Sequence, residues 1–137
     1  MEDLNNAKTL LEQEGYTCVL CRGSTVHTSR NRGVQPLMAL LNTDVSGFSA
    51  ADKVVGKATA LLYCLLGIRQ LYAKVISDAA LKVLDDHRIP VHWDTRVAYI
   101  VNREGTGRCP MELATEQISD PALAPDVIRE KLKQLQG

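Results

Sequence analysis

The segment SAADKVVGKATALLYCLLG, from Ser49 to Gly67, constrains the fold more than any other part of the chain. From Val54 onwards nearly every residue is apolar, which predicts a helix that is buried on most of its sides. Ser49 would be the N-cap, with Asp52 three residues later, where an acidic side chain favours the free backbone amides. Gly67 would end the helix. Such a helix needs other elements packed around it, so the segment predicts a layered globular domain.

The remainder of the chain supplies those elements. Hydrophobic periodicity and turn signals predict helices over 3–14, 34–41 and 78–87, and strands over 16–21, 25–30, 70–76 and 91–93. The β-branched segment 97–102 favours a strand, with a helix as the alternative. Two further helices would begin at Pro110 and Pro121, because proline favours the first helical position. A hairpin followed by β-α-β units predicts an α/β fold with a mixed sheet and helices on both faces. The length predicts a single domain over residues 1–137.

Composition limits the partners and the location of the protein. Sixteen basic residues balance sixteen acidic residues, so the chain lacks the positive charge typical of proteins that bind nucleic acid. The N-terminus is acidic, unlike a signal peptide, and the longest apolar run, over 58–66, is too short to span a bilayer. Four irregularly spaced cysteines indicate reduced thiols. We therefore expect a cytoplasmic protein that binds neither nucleic acid nor membrane.

One candidate site is the loop that contains Arg30, Arg32 and Gly33. Two guanidinium groups that precede a helix N-terminus are typical of a phosphate-binding site. A solvated loop with two surface arginines explains the same residues, and on this feature alone it is the better interpretation.

A second candidate site comprises Asn102, Arg103, Cys109 and Glu112. A thiol at a helix N-terminus has a lowered pKa and can act as a nucleophile. The alternative is that Cys109 only precedes Pro110 as a capping residue, while Glu112 is an acid that the helix dipole favours in the first turn. Spacing alone favours this second interpretation.

The third candidate is the pair Asp52 and Lys53. Capping explains both residues if the predicted helix end is exposed. In a central helix the same end would face other elements, and unpaired charges there would be costly. A carboxylate beside a lysine could then be a base, a nucleophile or a ligand anchor. The sequence leaves these alternatives open.

Three segments in this order, RGVQPLMALL, SGFSAADKVVGKATALL and NREGTGRCPME, resemble a prokaryotic family. That family is a domain of unknown function placed in the cytidine-deaminase-like superfamily, and the resemblance extends from the first helix to about Leu135. It implies a three-layer α/β/α fold with a five-stranded mixed sheet.

Deaminases of this superfamily hold zinc between the N-termini of two helices, with a catalytic Glu on one and Pro-Cys-x-x-Cys on the other. By element order, Asp52 and Lys53 lie near the position of the first ligand and the Glu, and Ser77 and Asp78 lie near that of the paired cysteines. Because no His or Cys occupies either position, we expect a pocket without metal and no zinc-dependent deamination. Whether the protein catalyses another reaction stays open.

The resemblance and the candidate residues together predict a deaminase-like pocket that binds a nucleotide or an ADP-ribose-like ligand. Arg30, Arg32 and Gly33 would hold phosphate. Asp52 would contact the ribose or the base, or act as a nucleophile, and Lys53 would pair with negative charge. The cluster 102–112 would line the same pocket.

Two alternatives belong to other classes of function. One is a non-catalytic module that forms a homo-oligomer through the apolar helix at 54–66 and the C-terminal amphipathic helix. The other is a thiol-dependent enzyme that uses Cys109.

Overall fold

The computed structural model describes residues 2–102 and 104–136, without the side chain of Gln136. The helices are α1 (Glu2–Glu14), α2 (Gln35–Met38), α3 (Lys57–Leu66), α4 (Asp78–Asp86), α5 (Pro110–Ala114) and α6 (Ala124–Gln136), and a 3₁₀ turn lies at Pro121–Leu123. The strands are β1 (Cys18–Arg22), β2 (Thr25–Ser29), β3 (Ser49–Val55), β4 (Gln70–Ser77) and β5 (Val91–Val97). Arg103, a predicted site residue, lies outside the described residues.

The five strands form one mixed sheet in the order β2-β1-β3-β4-β5. β1 and β2 are the predicted hairpin, joined by the two residues Gly23 and Ser24, and β1 also pairs antiparallel with β3. β3, β4 and β5 are parallel and connected through α3 and α4. The predicted mixed five-stranded sheet is therefore confirmed, although its five strands are not the predicted five.

The largest correction concerns residues 49–55. They were expected to begin a helix, but they form β3, the central strand of the sheet, and α3 begins only at Lys57. Ala50 packs into the hydrophobic core on one face of the sheet and Ala51 into that on the other. A strand buried on both faces lacks the alternation that would reveal it in the sequence. Asp52 and Lys53 are consequently strand residues and not helix-capping residues.

Hydrophobic cores on both faces of the sheet make three layers, as predicted. On one face, α1 covers the sheet with Leu4, Ala7 and Leu11. The other face carries the larger core, to which α3 contributes most: Ala58, Thr59, Ala60, Leu61, Leu62, Tyr63 and Leu66 are all buried. Since α3 is an interior helix, the expectation that it forms an oligomer surface is wrong.

Two smaller predictions also differ from the structure. β5 continues to Val97, whereas the predicted strand over 97–102 is a bend with a single bridge between Val101 and Arg108. The predicted helix over 34–41 is shortened to the four residues of α2. Within the described residues, no helix is long and apolar enough to cross a membrane.

Candidate functional site

A row of side chains crosses three strands on the face that α3 covers. Cys18 of β1 pairs with Ser29 of β2 on one side and with Asp52 of β3 on the other. Residues directly opposite each other in an antiparallel pair point to the same face. The register of the hairpin and of β3 therefore places a thiol between a hydroxyl and a carboxyl group.

Asp52 is buried, with only 6% of its surface exposed. Its Oδ2 atom accepts a hydrogen bond of 2.6 Å from the hydroxyl of Tyr63, and its Oδ1 atom accepts one of 3.3 Å from the amide of Val54. Burial raises the pKa of Asp52 to about 7, and the hydrogen bonds from Tyr63 and from the backbone act in the opposite direction. Asp52 can therefore gain or lose a proton near neutral pH, which an exposed aspartate does not do.

The Tyr63 hydroxyl also lies 3.3 Å from the Sγ atom of Cys18. A phenol has one proton, which Tyr63 donates to Asp52, so the Cys18 thiol is the donor in this second contact. Burial raises the pKa of the Cys18 thiol, and the neighbouring Asp52 raises it further. Burial likewise raises the pKa of Tyr63. Cys18, Tyr63 and Asp52 thus form a buried hydrogen-bonded chain, named here the Asp52 network.

A cavity of about 240 Å³ opens beside this network, between the hairpin and α2. Its lining residues come from β1, β2, the following loop and α2 with the turn after it: Cys18, Leu20, His27, Thr28, Ser29, Asn31, Pro36, Ala39 and Leu40. Cys18 therefore belongs both to the cavity wall and to the Asp52 network. A group bound in the cavity would be linked through Cys18 and Tyr63 to a carboxyl group that titrates near neutral pH.

Thr17 connects two predicted parts of the site. Its hydroxyl lies within hydrogen-bond distance of the carbonyl oxygens of Ser29 and Asn31, which share its single proton. The carbonyl of Thr17 accepts a hydrogen bond of 3.0 Å from the amide of Lys53. The loop after β2 and the strand segment that carries Asp52 are therefore neighbours at the carboxyl end of β3. This edge is where ligands bind in open α/β sheets.

The residues of that loop are exposed. Arg30 stacks on the ring of Tyr16, with 4.3 Å between its Cζ atom and the ring centroid, and donates a hydrogen bond to the carbonyl oxygen of Glu14. Arg32 and Gly33 lie at the surface, as does Lys53 on β3. Because α2 has only four residues, it does not provide the helix N-terminus on which the phosphate-binding prediction relied.

Glu112 of α5 lies elsewhere, in a second buried network with 3% of its surface exposed. Its Oε2 atom accepts hydrogen bonds from the amide of Lys57, at 3.1 Å, and from the hydroxyl of Ser77, at 2.5 Å. Its Oε1 atom accepts one of 2.7 Å from the amide of Ile100. The carboxylate thus joins the first residue of α3 to the N-cap of α4, in accord with the preference of helix N-termini for negative charge.

The position between these two helix N-termini is the one that the resemblance to deaminases singles out. At α4 it contains Ser77 and Asp78, as expected, but at α3 it contains Gly56 and Lys57 and not Asp52 and Lys53. A Cβ atom at Gly56 would lie 3.0 Å from Cγ of Glu112, so Gly56 allows the glutamate to fill this space. No group of three or more His, Cys, Asp or Glu residues within 2–102 and 104–136 could hold a metal ion.

The remaining predicted residues shape the segment before α5. The side chain of Asn102 bonds to the amide and the hydroxyl of Thr106 and closes a loop. Cys109 is a half-buried free thiol at the N-cap of α5, and its amide donates to the carbonyl of Ile100. Neither residue belongs to the Asp52 network, so the structure does not bring the predicted set together in one pocket. A role for Cys109 as a nucleophile stays a prediction.

Comparison with known proteins identifies the family. The family model TM1506, domain of unknown function (DUF1893), matches residues 6–132. The chain belongs to the DUF1893 family. A crystal structure of a DUF1893 family protein (TM1506) from Thermotoga maritima is similar to it, with a TM-score of 0.87 and 24% sequence identity over 95% of this chain and 90% of the other. No curated protein matches the chain.

The DUF1893 assignment confirms the resemblance to a domain of unknown function, and the crystal structure shows the same fold. Sequence reasoning missed Tyr63 and the position of Cys18 next to Asp52. A tyrosine inside a largely apolar helix indicates a buried polar partner, because a buried hydroxyl needs a hydrogen bond. The partner itself depends on strand register, which the sequence does not specify.

Proposed function

We propose that this DUF1893 protein binds a nucleotide or a related phosphate-bearing small molecule in the cavity between the hairpin and α2. The observation that carries the proposal is the position of Cys18, which lines the cavity and contacts Tyr63 of the Asp52 network. A pocket beside a strongly perturbed titratable group is a candidate binding site in a protein without assigned chemistry.

The size of the cavity favours partial enclosure of the ligand. At about 240 Å³ it is somewhat smaller than the sites of drug-sized ligands, which begin at about 300 Å³. It therefore suits one part of a nucleotide, such as the base or the sugar, with the phosphate outside. Ser29 supplies a hydroxyl on the same face as Cys18, and Thr28 and Asn31 complete this part of the wall.

The charges around the cavity favour a negative group at its rim. Arg30 and Arg32 flank Asn31, a lining residue, and Lys53 lies beyond Thr17 at the same edge. Arg30 uses one nitrogen for the carbonyl of Glu14, and the other donors of a guanidinium group remain for a phosphate.

The deaminase-like position is the weaker location for this ligand. Glu112 already supplies a carboxylate to the amide of Lys57 and the hydroxyl of Ser77 there. A phosphate would have to displace that buried carboxylate and would meet its negative charge if it did not. The proposal therefore puts the ligand beneath α2.

Isothermal titration with adenosine monophosphate, ADP-ribose and inorganic phosphate tests the proposal. Ala39 is exposed and lines the cavity, so Ala39→Phe should weaken binding of both nucleotides by about tenfold or more. The matched control is Ala122→Phe, at an exposed alanine outside the cavity. Arg32→Ala should weaken all three probes several-fold, whereas Arg69→Ala, at an exposed arginine elsewhere, should not.

Mass spectrometry of the purified protein under native conditions complements the titration, because it detects a ligand that was retained from the cell. A retained mass that Ala39→Phe abolishes and Ala122→Phe preserves supports the proposal. Absence of binding for all three probes together with absence of retained mass overturns it, and so does binding that Ala39→Phe leaves unchanged.

A further inference from the structure

β5 forms one edge of the sheet, since β4 is its neighbour on one side and no described strand lies on the other. Its five central residues, 92–96, are all exposed, including Trp93 at 42%. An edge strand presents a row of unpaired backbone N–H and C=O groups, which can pair with another strand. Seven residues are long enough for such pairing.

β5 also lacks two of the devices that most often protect an edge. It contains neither lysine nor proline, and it carries an exposed tryptophan. Its two charged residues already have partners within the chain: Oδ2 of Asp94 accepts from the hydroxyl of Tyr72, and Nε of Arg96 pairs with Asp78 at 2.6 Å. These contacts fix the two side chains, while the second oxygen of Asp94 and the terminal nitrogens of Arg96 can bond across the edge.

We propose that a second copy of this chain pairs antiparallel with β5 about a two-fold axis at Thr95, which makes a ten-stranded sheet. In this register Asp94 faces Arg96 of the second copy, and the symmetry repeats that ion pair. Trp93 faces Val97 of the second copy, and the two Thr95 residues face each other. Opposite-charge, aromatic–β-branched and Thr–Thr pairs are the cross-strand combinations that stabilise antiparallel sheets.

Neighbouring registers are less favourable. An axis at Asp94 would place the two Asp94 carboxylates opposite each other, and like charges directly opposite destabilise a sheet. An axis at Trp93 would place Arg96 opposite Pro90, which has no N–H to share. Charge complementarity therefore selects the register centred on Thr95.

Size-exclusion chromatography with light scattering tests the assembly. We expect a mass of about twice the 15.1 kDa of one chain. Thr95→Lys places two charges face to face and should give the monomer. Thr25→Lys is the matched control, because Thr25 is an exposed threonine on β2, the opposite edge. A wild-type monomer overturns the proposal, as does a dimer that Thr95→Lys leaves intact or Thr25→Lys dissociates.

Disulfide cross-linking tests the register and does not depend on a destabilising variant. Opposite residues of an antiparallel pair have Cα atoms about 4.5–5.5 Å apart, within the range of about 4.4–6.8 Å that a disulfide spans. Thr95→Cys should therefore give a covalent dimer on mild oxidation, well above the background of wild type, whose cysteines are all buried or half-buried. Cross-linking by Trp93→Cys in preference to Thr95→Cys contradicts the register.

Discussion

The hydroxyl of Tyr63 donates a 2.6 Å hydrogen bond to Oδ2 of Asp52 between an interior helix and the central strand. Both residues are buried, so the bond replaces part of the hydration that the carboxyl group loses on folding. The compensation is incomplete, because the pKa of Asp52 is still raised to about 7. Stability should therefore depend on the protonation of this one group.

Asp52→Asn tests that dependence. The pKa of Asp52 is about 7 in the native state and about 4 in an unfolded chain, so between these values the native state binds more protons. The free energy of unfolding contributed by Asp52 is thus highest below pH 4, falls as the pH rises to 7, and changes little above that. A difference of about three pKa units between the native and unfolded states corresponds to roughly 4 kcal/mol in the free energy of unfolding.

Urea unfolding at pH 5 and pH 8 measures the effect. Relative to wild type, Asp52→Asn should be more stable at pH 8 than at pH 5, because the amide has no charge to bury. Asp85→Asn, at an exposed aspartate on α4, is the control and should change the pH dependence little. An equal difference between Asp52→Asn and wild type at both pH values contradicts the assignment.

Tyr63→Phe removes the hydroxyl that donates a hydrogen bond to Asp52. The same substitution leaves the Cys18 thiol without its acceptor. We expect a loss of about 1–3 kcal/mol at pH 8, where the carboxylate is ionised, and a smaller loss at pH 5. Tyr99→Phe, at an exposed tyrosine, should have little effect in the same urea titrations. A loss from Tyr63→Phe that is larger at pH 5 than at pH 8 would show that the hydroxyl does not serve the ionised form.

Local turn and capping signals were sufficient to predict much of the fold. The hairpin follows from Gly23 and Ser24 between two strand-forming segments, and Ser77 caps α4 by accepting from the amide of Ala80. The helix prediction for residues 49–55 is wrong because Ser49 and Asp52, three residues apart ahead of an apolar run, match the pattern of a helix N-cap and its first-turn acid although they lie in β3. In the sheet Ala50 and Ala51 pack into the cores on both faces, which is a tertiary effect.

The candidate site was predictable only in part. Asp52 was singled out as a charge that a buried environment would make costly, and the structure shows it buried. The prediction that Glu112 shares its pocket was wrong, because Glu112 bonds to the starts of α3 and α4 while Asp52 bonds to Tyr63. Which helix end meets which strand end depends on packing across the sheet and leaves no local signal in the sequence.

Glu112→Ala should remove the hydrogen bonds that link α5 to the start of α3, to the N-cap of α4 and to the segment at Ile100. It would leave the amides of Lys57 and Ile100 and the hydroxyl of Ser77 without their shared acceptor, and we expect a loss of about 3 kcal/mol or more. Glu112→Gln keeps the shape of the side chain and should lower the free energy of unfolding by less than Glu112→Ala does. Glu130→Ala, at an exposed glutamate on α6, is the control.

Hydrogen exchange at the amide of Ile100 gives a local readout of the same variant. Glu112→Ala should accelerate that exchange more than exchange at the amides of β1, which Glu112 does not contact. A uniform acceleration over the whole chain would mean that only global stability had changed.

Gly56→Ala tests how closely α5 approaches the start of α3. The backbone of Gly56 is extended, with φ of −95°, so alanine can adopt it without strain. Its Cβ atom, however, would lie 3.0 Å from Cγ of Glu112 and 3.2 Å from Cγ1 of Ile100. Glu112 cannot yield easily, because three hydrogen bonds hold its carboxylate. We therefore expect a loss of about 1–3 kcal/mol from overpacking.

Gly107→Ala is the matched control for this substitution. A Cβ atom at Gly107 would meet only Nδ2 of Asn102, at 3.9 Å, which is ordinary van der Waals contact. Urea unfolding should therefore show a change within about 0.5 kcal/mol for Gly107→Ala. The double variant Gly56→Ala with Glu112→Ala separates the two effects, because without the glutamate side chain the added methyl group has space. If the alanine at position 56 costs as much in the double variant as alone, the contact with Glu112 is not the reason for glycine there.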